Sequence, residues 1–248
     1  MPGPSGTEQA GLGRTASGRA GSTGYGPPAR LFNAFRRAGL RYLGAALLSV
    51  GLAVGTARAA PVTILAFGDS LTAGYGVAPE DAYPAKLEAA LKVKGYDVRI
   101  INAGVSGDTS AGGLARLDWA LGDHPDYALV ELGSNDALRG LEPTETRGNL
   151  DHILGALEQA KVKVLLMGML APRNWGTDYA QRFDRIYPDL AAQHHVPLYP
   201  FFLDGVALDP KLNQADMLHP TPAGVDVIVQ RTLPAIEALL GPPRAAPS

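Results

Sequence analysis

Val62-Thr63-Ile64-Leu65-Ala66-Phe67-Gly68-Asp69-Ser70-Leu71-Thr72 is an apolar run that breaks into a polar turn. The run is apolar almost throughout around Ile64, the pattern of a strand covered on both faces. Four more apolar runs follow at 98–102, 128–132, 164–169 and 197–201. Between them lie longer stretches with helical patterning at 82–94, 110–121, 144–161 and 178–195, and a last one at 223–240. Thr144 ahead of Glu145 reads as a helix start, and Gly95 and Gly122 stand where helices would stop. This alternation predicts an α/β domain, a five-stranded parallel sheet between helical layers. Right-handed crossovers then bring the C-terminal ends of the strands to one edge, where ligands of open α/β sheets bind. Function is therefore sought in what each strand delivers there.

The first strand delivers Gly68-Asp69-Ser70-Leu71. A serine at a strand-to-helix turn can have a free N–H and the positive end of a helix beside it. Alone, Gly-Asp-Ser is a common turn, and Thr72 stands where a G-x-S-x-G elbow would have its second glycine. The second strand ends in Asn102-Ala103-Gly104-Val105-Ser106-Gly107-Asp108-Thr109. Gly107 allows close backbone approach and offers an N–H, while Asp108 or Thr109 suits a helix cap. The third ends in Glu131-Leu132-Gly133-Ser134-Asn135-Asp136, where Asn135 offers an uncharged donor or merely shapes a turn. Asp216-Met217-Leu218-His219 precedes the last helix. Three residues of separation let the carboxylate fold back onto one imidazole nitrogen and leave the other as a base. Each feature has a bland reading as a turn or a cap. Together they supply a nucleophile, oxyanion donors and an Asp-His pair, the needs of acyl transfer.

In these four blocks the chain resembles the SGNH (GDSL) hydrolase family. Ser106-Gly107-Asp108-Thr109-Ser110, Val130-Glu131-Leu132-Gly133, Leu138-Arg139-Gly140 and Pro197-Leu198-Tyr199-Pro200-Phe201-Phe202 look like its subgroup of periplasmic acyl thioesterases, lysophospholipases and arylesterases. The likeness runs over residues 62–241. It implies Ser70 as nucleophile, His219 as base and Asp216 as the group orienting it. It implies an oxyanion hole from the Ser70 and Gly107 N–H groups and the Asn135 side chain. It also implies a flavodoxin-like three-layer α/β/α sandwich with a shallow, open site. That subgroup often carries glycine where this chain has Ala137, so the 137–141 loop is expected to be stiffer.

Composition narrows the field. Among 248 residues there is no cysteine, which excludes disulfides, thiolate metal sites and cysteine nucleophiles. Residues 1–30 are rich in Gly, Ser, Pro and Thr, and are expected to be disordered or a non-native extension. Within 31–59, arginines precede a 16-residue uncharged run from Tyr42 that ends in Ala57-Arg58-Ala59. This predicts a secretory signal cleaved after Ala59, with Arg36-Arg37 a weak sign of a twin-arginine route, and a hydrolase domain over 60–248. A periplasmic or secreted location without a membrane span after processing follows. The first 59 residues carry a net charge of +6 and the remainder −8, so no nucleic-acid partner is expected. No cofactor or metal is expected either. No Lys-Ser/Thr follows Gly104 and Gly107, and the neighbours His194 and His195 would point apart on a helix. Asp69 and Asp136 are read as hydrogen-bonding supports.

The expected substrate is a small acyl ester or thioester. Leu71 and the Met169-Leu170-Ala171-Pro172 stretch would line an apolar groove, with Trp175 and Tyr179 beyond. The acidic surface and export disfavour coenzyme A thioesters, which ranks aryl and acyl esters first, lysophospholipids next and thioesters last. A monomer is favoured. The competing classes are a non-catalytic acyl- or carbohydrate-binding module and a glycan O-acetyl transferase or deacetylase.

Overall fold

The structure is a computed structural model and describes residues 60–243. The expected extension at 1–30 and signal segment at 31–59 lie outside them. The elements alternate as β1 (Val62–Gly68), α1 (Ser70–Ala73), α2 (Tyr83–Val93), β2 (Val98–Gly104), α3 (Ser110–Leu121), β3 (Tyr127–Glu131), α4 (Ser134–Leu138), α5 (Pro143–Gln159), β4 (Lys163–Met167), α6 (Thr177–Asp184), α7 (Ile186–Gln193), β5 (Leu198–Tyr199) and α8 (Pro222–Leu240). The five strands form one sheet in the order β2-β1-β3-β4-β5, and every neighbouring pair is parallel. The path steps one way from β1 to β2 and the other way from β2 onward. Right-handed crossovers therefore put α2 on one face and α3, α5 and α7 on the other. In keeping with this, α8 packs on α2, while α5 packs on both α3 and α7.

Cover on both faces explains the unbroken apolar runs. Ile64, Leu65, Phe67, Leu129, Val130 and Leu165 are all buried, although successive residues of a strand point to opposite sides. The register sets the site. Gly68 pairs with Gly104 on one side and with Glu131 on the other, so three strand ends lie abreast at the C-terminal edge.

Three local features depart from the sequence reading. The helix expected over 178–195 is broken at Arg185 into α6 and α7. Pro188 has no N–H for the carbonyl of Asp184 and its ring crowds that carbonyl, so a continuous helix is disfavoured there. The strand expected over 197–201 is only Leu198–Tyr199, because Pro197 and Pro200 flank it and cannot donate to the ladder. The third departure is the short helix α4 beyond β3; α1 starts at Ser70, where the sequence reading places a strand-to-helix turn. Ala137, expected in a loop, is a buried residue of α4. Among the described residues no helix is long and apolar enough to cross a membrane.

Candidate active site

Ser70 is the first residue of α1. The Asp69 side chain caps that helix by accepting the Leu71 N–H at 3.0 Å. The cap holds Ser70 at the sheet edge, largely buried, with its Oγ 2.9 Å from His219 Nε2. On the other side of the ring, His219 Nδ1 lies 2.7 Å from Asp216 Oδ2. The remaining oxygen of Asp216 accepts the backbone N–H groups of Leu218 and His219 at 2.9 and 3.0 Å. These donors, the imidazole first among them, pull the Asp216 carboxyl down to about 2. An ionised Asp216 keeps the proton on Nδ1, which leaves Nε2 as an acceptor toward Ser70.

The 213–220 loop that carries this pair is itself braced. Gln214 N–H donates to His219 O at 2.7 Å, and the Gln214 side-chain amide donates to the carbonyls of Tyr75 and Pro220. The buried Asn213 donates to Val206 O and Asp209 O. Tyr75 lays its ring against His219, with centroids 4.5 Å apart. The imidazole is thus fixed by a hydrogen bond, an aromatic contact and a hairpin-like backbone.

The expected oxyanion donors sit on three strand-end turns. Neither the Ser70 nor the Gly107 N–H makes a protein hydrogen bond among the described residues. Gly107 has φ +85°, and a Cβ there would have room, its nearest neighbour being Arg139 at 3.8 Å. Backbone conformation, not space, calls for glycine at this position. Asn135 is different. Its amide already donates to Asp69 Oδ2 at 3.1 Å and to the carbonyl of Asp108 at 2.9 Å. Both of its protons are used within the protein.

Asp69 and Asp136 make the supporting contacts that the sequence suggested. Asp69, fully buried, also accepts from Ser134 Oγ at 2.7 Å. Burial pushes its carboxyl up, and its several donors pull back against that. Asp136 accepts from Ser110 N and Oγ and from Thr146 Oγ1, which joins α4 to the starts of α3 and α5.

Arg116 on α3 was not singled out from the sequence. Its guanidinium donates to Ala103 O and Gly68 O, both at 2.8 Å, and to Asp108 Oδ2 at 2.6 Å, and it lies 4.3 Å over the Phe67 ring. One planar cation thereby ties the ends of β1 and β2 to the Gly107 turn, a geometry that suits Arg and not Lys. A lone arginine in a helix carries no local signal of such a role.

The groove residues need correction. Past β4 the chain alternates, with Met169 and Ala171 turned into the core and Leu170 outward, 41% exposed. Leu71 is buried as well. Burial leaves these three side chains no surface for an acyl chain. The apolar surface in this region comes from Leu170, part-buried Pro172, Trp175 and Leu138. Trp175 rests over Gly140, where a Cβ would meet its ring at 2.9 Å, and Tyr179 is buried with its hydroxyl donating to Leu141 O. His194 pairs with Asp151 at 2.6 Å, away from these turns, and no group of three metal-ligating side chains occurs among the described residues.

Residues 66–227 match the model of the GDSL-like lipase/acylhydrolase family. Among curated proteins, esterase TesA of Pseudomonas aeruginosa is 40% identical over 186 residues, covering 75% of this chain and 92% of its own. The thioesterase 1/protease 1/lysophospholipase L1 of Escherichia coli is 45% identical over 163 residues, covering 65% of this chain and 77% of its own. Among solved structures, the SGNH-hydrolase family esterase AlinE4 is 52% identical and superposes with a TM-score of 0.62, covering 73% of this chain and 97% of its own.

Proposed function

Since the chain belongs to the GDSL-like lipase/acylhydrolase family, we propose that it is a serine esterase that hydrolyses carboxylic esters through an acyl-enzyme. The observation that carries this reading is the continuous path from Ser70 Oγ to His219 Nε2 at 2.9 Å and from His219 Nδ1 to Asp216 at 2.7 Å. His219 takes the Ser70 proton as Oγ bonds to the acyl carbon, and Asp216 stabilises the imidazolium so formed. The carbonyl oxygen gains charge against the N–H groups of Ser70 and Gly107. Asn135 joins them by exchanging its 3.1 Å bond to Asp69 for one to the oxyanion. The tetrahedral centre collapses, the alcohol leaves with the proton from His219, and water repeats the sequence to release the acid.

Aryl and short-to-medium acyl esters rank first as substrates, lysophospholipids second and acyl thioesters third. The charge of −8 on residues 60–248 disfavours a polyanionic leaving group. The exposed Leu170 and Trp175 suit an acyl chain. The basic and apolar 31–59 segment supports export with cleavage after Ala59, and the mature protein is proposed to act as a monomer. N-terminal mass spectrometry of the exported protein should begin at Ala60; Arg58 on the mature side would reject that cleavage site.

A fluorophosphonate probe should label Ser70, and Ser70→Ala should abolish both labelling and turnover. A p-nitrophenyl ester series run beside acyl-coenzyme A and lysophospholipid orders the substrates. Ester hydrolysis retained by Ser70→Ala would overturn the assignment.

A further inference from the structure

Glu131 ends β3 and is 2% exposed, yet the reaction above gives it no part. Its Oε2 accepts the Thr72 hydroxyl at 2.7 Å and the Asp69 N–H at 3.3 Å, while its buried Oε1 has no hydrogen-bond partner. Thr72 and Asp69 flank the nucleophile: one lies two residues after Ser70, the other directly before it. The contact is close-fitting. A Cβ at Gly68 would fall 2.5 Å from Glu131 Oε2 and 2.1 Å from Thr72 Oγ1, so the glycine makes room for this carboxyl under the turn.

Charge balance decides the form of the group. Asp69, beside it, accepts from the Leu71 N–H, the Ser134 hydroxyl and the Asn135 amide. Among the described residues, the donors to Glu131 come only from Thr72 and Asp69 and gather on one side of the carboxyl, while its other oxygen has none and both oxygens of Asp69 are engaged. Two neighbouring buried carboxylates cannot both stay ionised cheaply, and the one with both oxygens engaged keeps the charge. Tyr83 on α2 and Tyr187 on α7 also act on Glu131 and are acids too, while the Arg116 cation on α3 is taken up by the Gly68 and Ala103 carbonyls and by Asp108. Burial and the Asp69 charge push the Glu131 carboxyl well above the usual carboxylate range.

We propose that Glu131 is a positioning residue for the nucleophile: a neutral carboxylic acid that pins Asp69 and Thr72 to the end of β3 without adding charge beneath Ser70. Asp69 then holds the single negative charge under the site. Two carboxylates there would resist proton removal from Ser70 and oppose the developing oxyanion. This inference rests on Ser70 being the nucleophile.

The test joins a spectrum to kinetics. Infrared spectra of the protein, with glutamate isotope-labelled at its side-chain carboxyl carbon, should show one neutral carboxylic acid band at about pH 7, where ordinary glutamates are ionised. Glu131 is the buried glutamate among the described residues, and Glu131→Gln should remove the band. The same variant is a neutral isostere that still accepts from Thr72 and Asp69, so its kcat on a p-nitrophenyl ester should stay within about fivefold of the parent. Glu131→Leu accepts from neither, and should lower kcat by about tenfold or more with KM nearly unchanged. Absence of the band, a larger loss in folded Glu131→Gln, or full activity in Glu131→Leu would each overturn the proposal. Should Glu131→Gln not fold, the labelled parent protein still decides. A parent with no ester hydrolysis sinks the esterase reading instead, and leaves the spectrum to be read on its own.

Discussion

Replacing Arg116 by lysine tests the claim that one guanidinium holds the edge of the candidate active site together. The arginine makes three hydrogen bonds, to Gly68 O, Ala103 O and Asp108 Oδ2, and covers the Phe67 ring. A lysine ammonium lacks the planar fork and on this geometry keeps one of the three. Hydrogen bonds from charged donors contribute about 1.5–3 kcal/mol each. Gly68 O retains the Val105 N–H as a partner, which softens the loss at that carbonyl. Two lost bonds less this relief come to about 3 kcal/mol, or roughly 6–12 °C of melting temperature for a domain of this size. The turns that carry Ser70 and Gly107 are then tied less firmly to each other. A shift on the order of 1 Å in such groups can lower rate about 10²-fold. Thermal unfolding by circular dichroism, and kcat on p-nitrophenyl butyrate well below the melting range, should both fall in Arg116→Lys. A variant that melts within about 2 °C of the parent and keeps its kcat would refute the tie.

Other outcomes follow from the same geometry. Asp216→Asn should lower kcat by about 10²–10⁴, because an amide can no longer hold the proton on Nδ1; initial rates across an ester series check this, and a change in KM alone would count against it. The carboxyl of Asp216 sits at about 2 in the fold, below its ordinary value of 3.8. Its contribution to stability is therefore present above pH 3.8 and is lost as pH falls through about 2. Urea midpoints measured over that window should fall less steeply in Asp216→Asn than in the parent. Gly107→Ala should reduce kcat with only a modest melting shift of about 1 kcal/mol, since the added methyl has room but φ +85° does not suit it. Trp175→Ala should lower kcat/KM for octanoyl esters more than for acetyl esters, and an equal loss on both would remove Trp175 from the proposed acyl-chain surface.

Much of the architecture is legible in local pattern. The apolar run at 62–67 and the four that follow are so evenly spaced among helical stretches that a parallel sheet is the economical solution, and its C-terminal edge marks where to look. The residue types at the turns, Ser70, Gly107, Asn135 and the Asp216–His219 pair, each read alone as a turn or a cap; their combination, and the resemblance to the SGNH (GDSL) family, is what marks them as candidates. In two places where local pattern misled, short-range stereochemistry was the reason. Pro188 broke one expected helix, and prolines on both sides of Leu198–Tyr199 shortened a strand.

Local pattern along the chain is enough to place the strands and to say which chemical groups stand at their ends. How those groups meet depends on the packing of distant segments. Ser70 and His219 are 149 residues apart, and nothing local puts Oγ 2.9 Å from Nε2. The pairing of Gly68 with Glu131 depends on the register between β1 and β3, and a one-residue slip would turn Glu131 to the other face. Likewise, Met169 and Ala171 read as groove residues because they are apolar, and prove to be core because the chain leaves β4 with those side chains turned inward. Arg116 becomes important only when α3 lies across the ends of β1 and β2. Contacts of this kind follow from the packing of distant segments, which residue type and short-range periodicity do not encode.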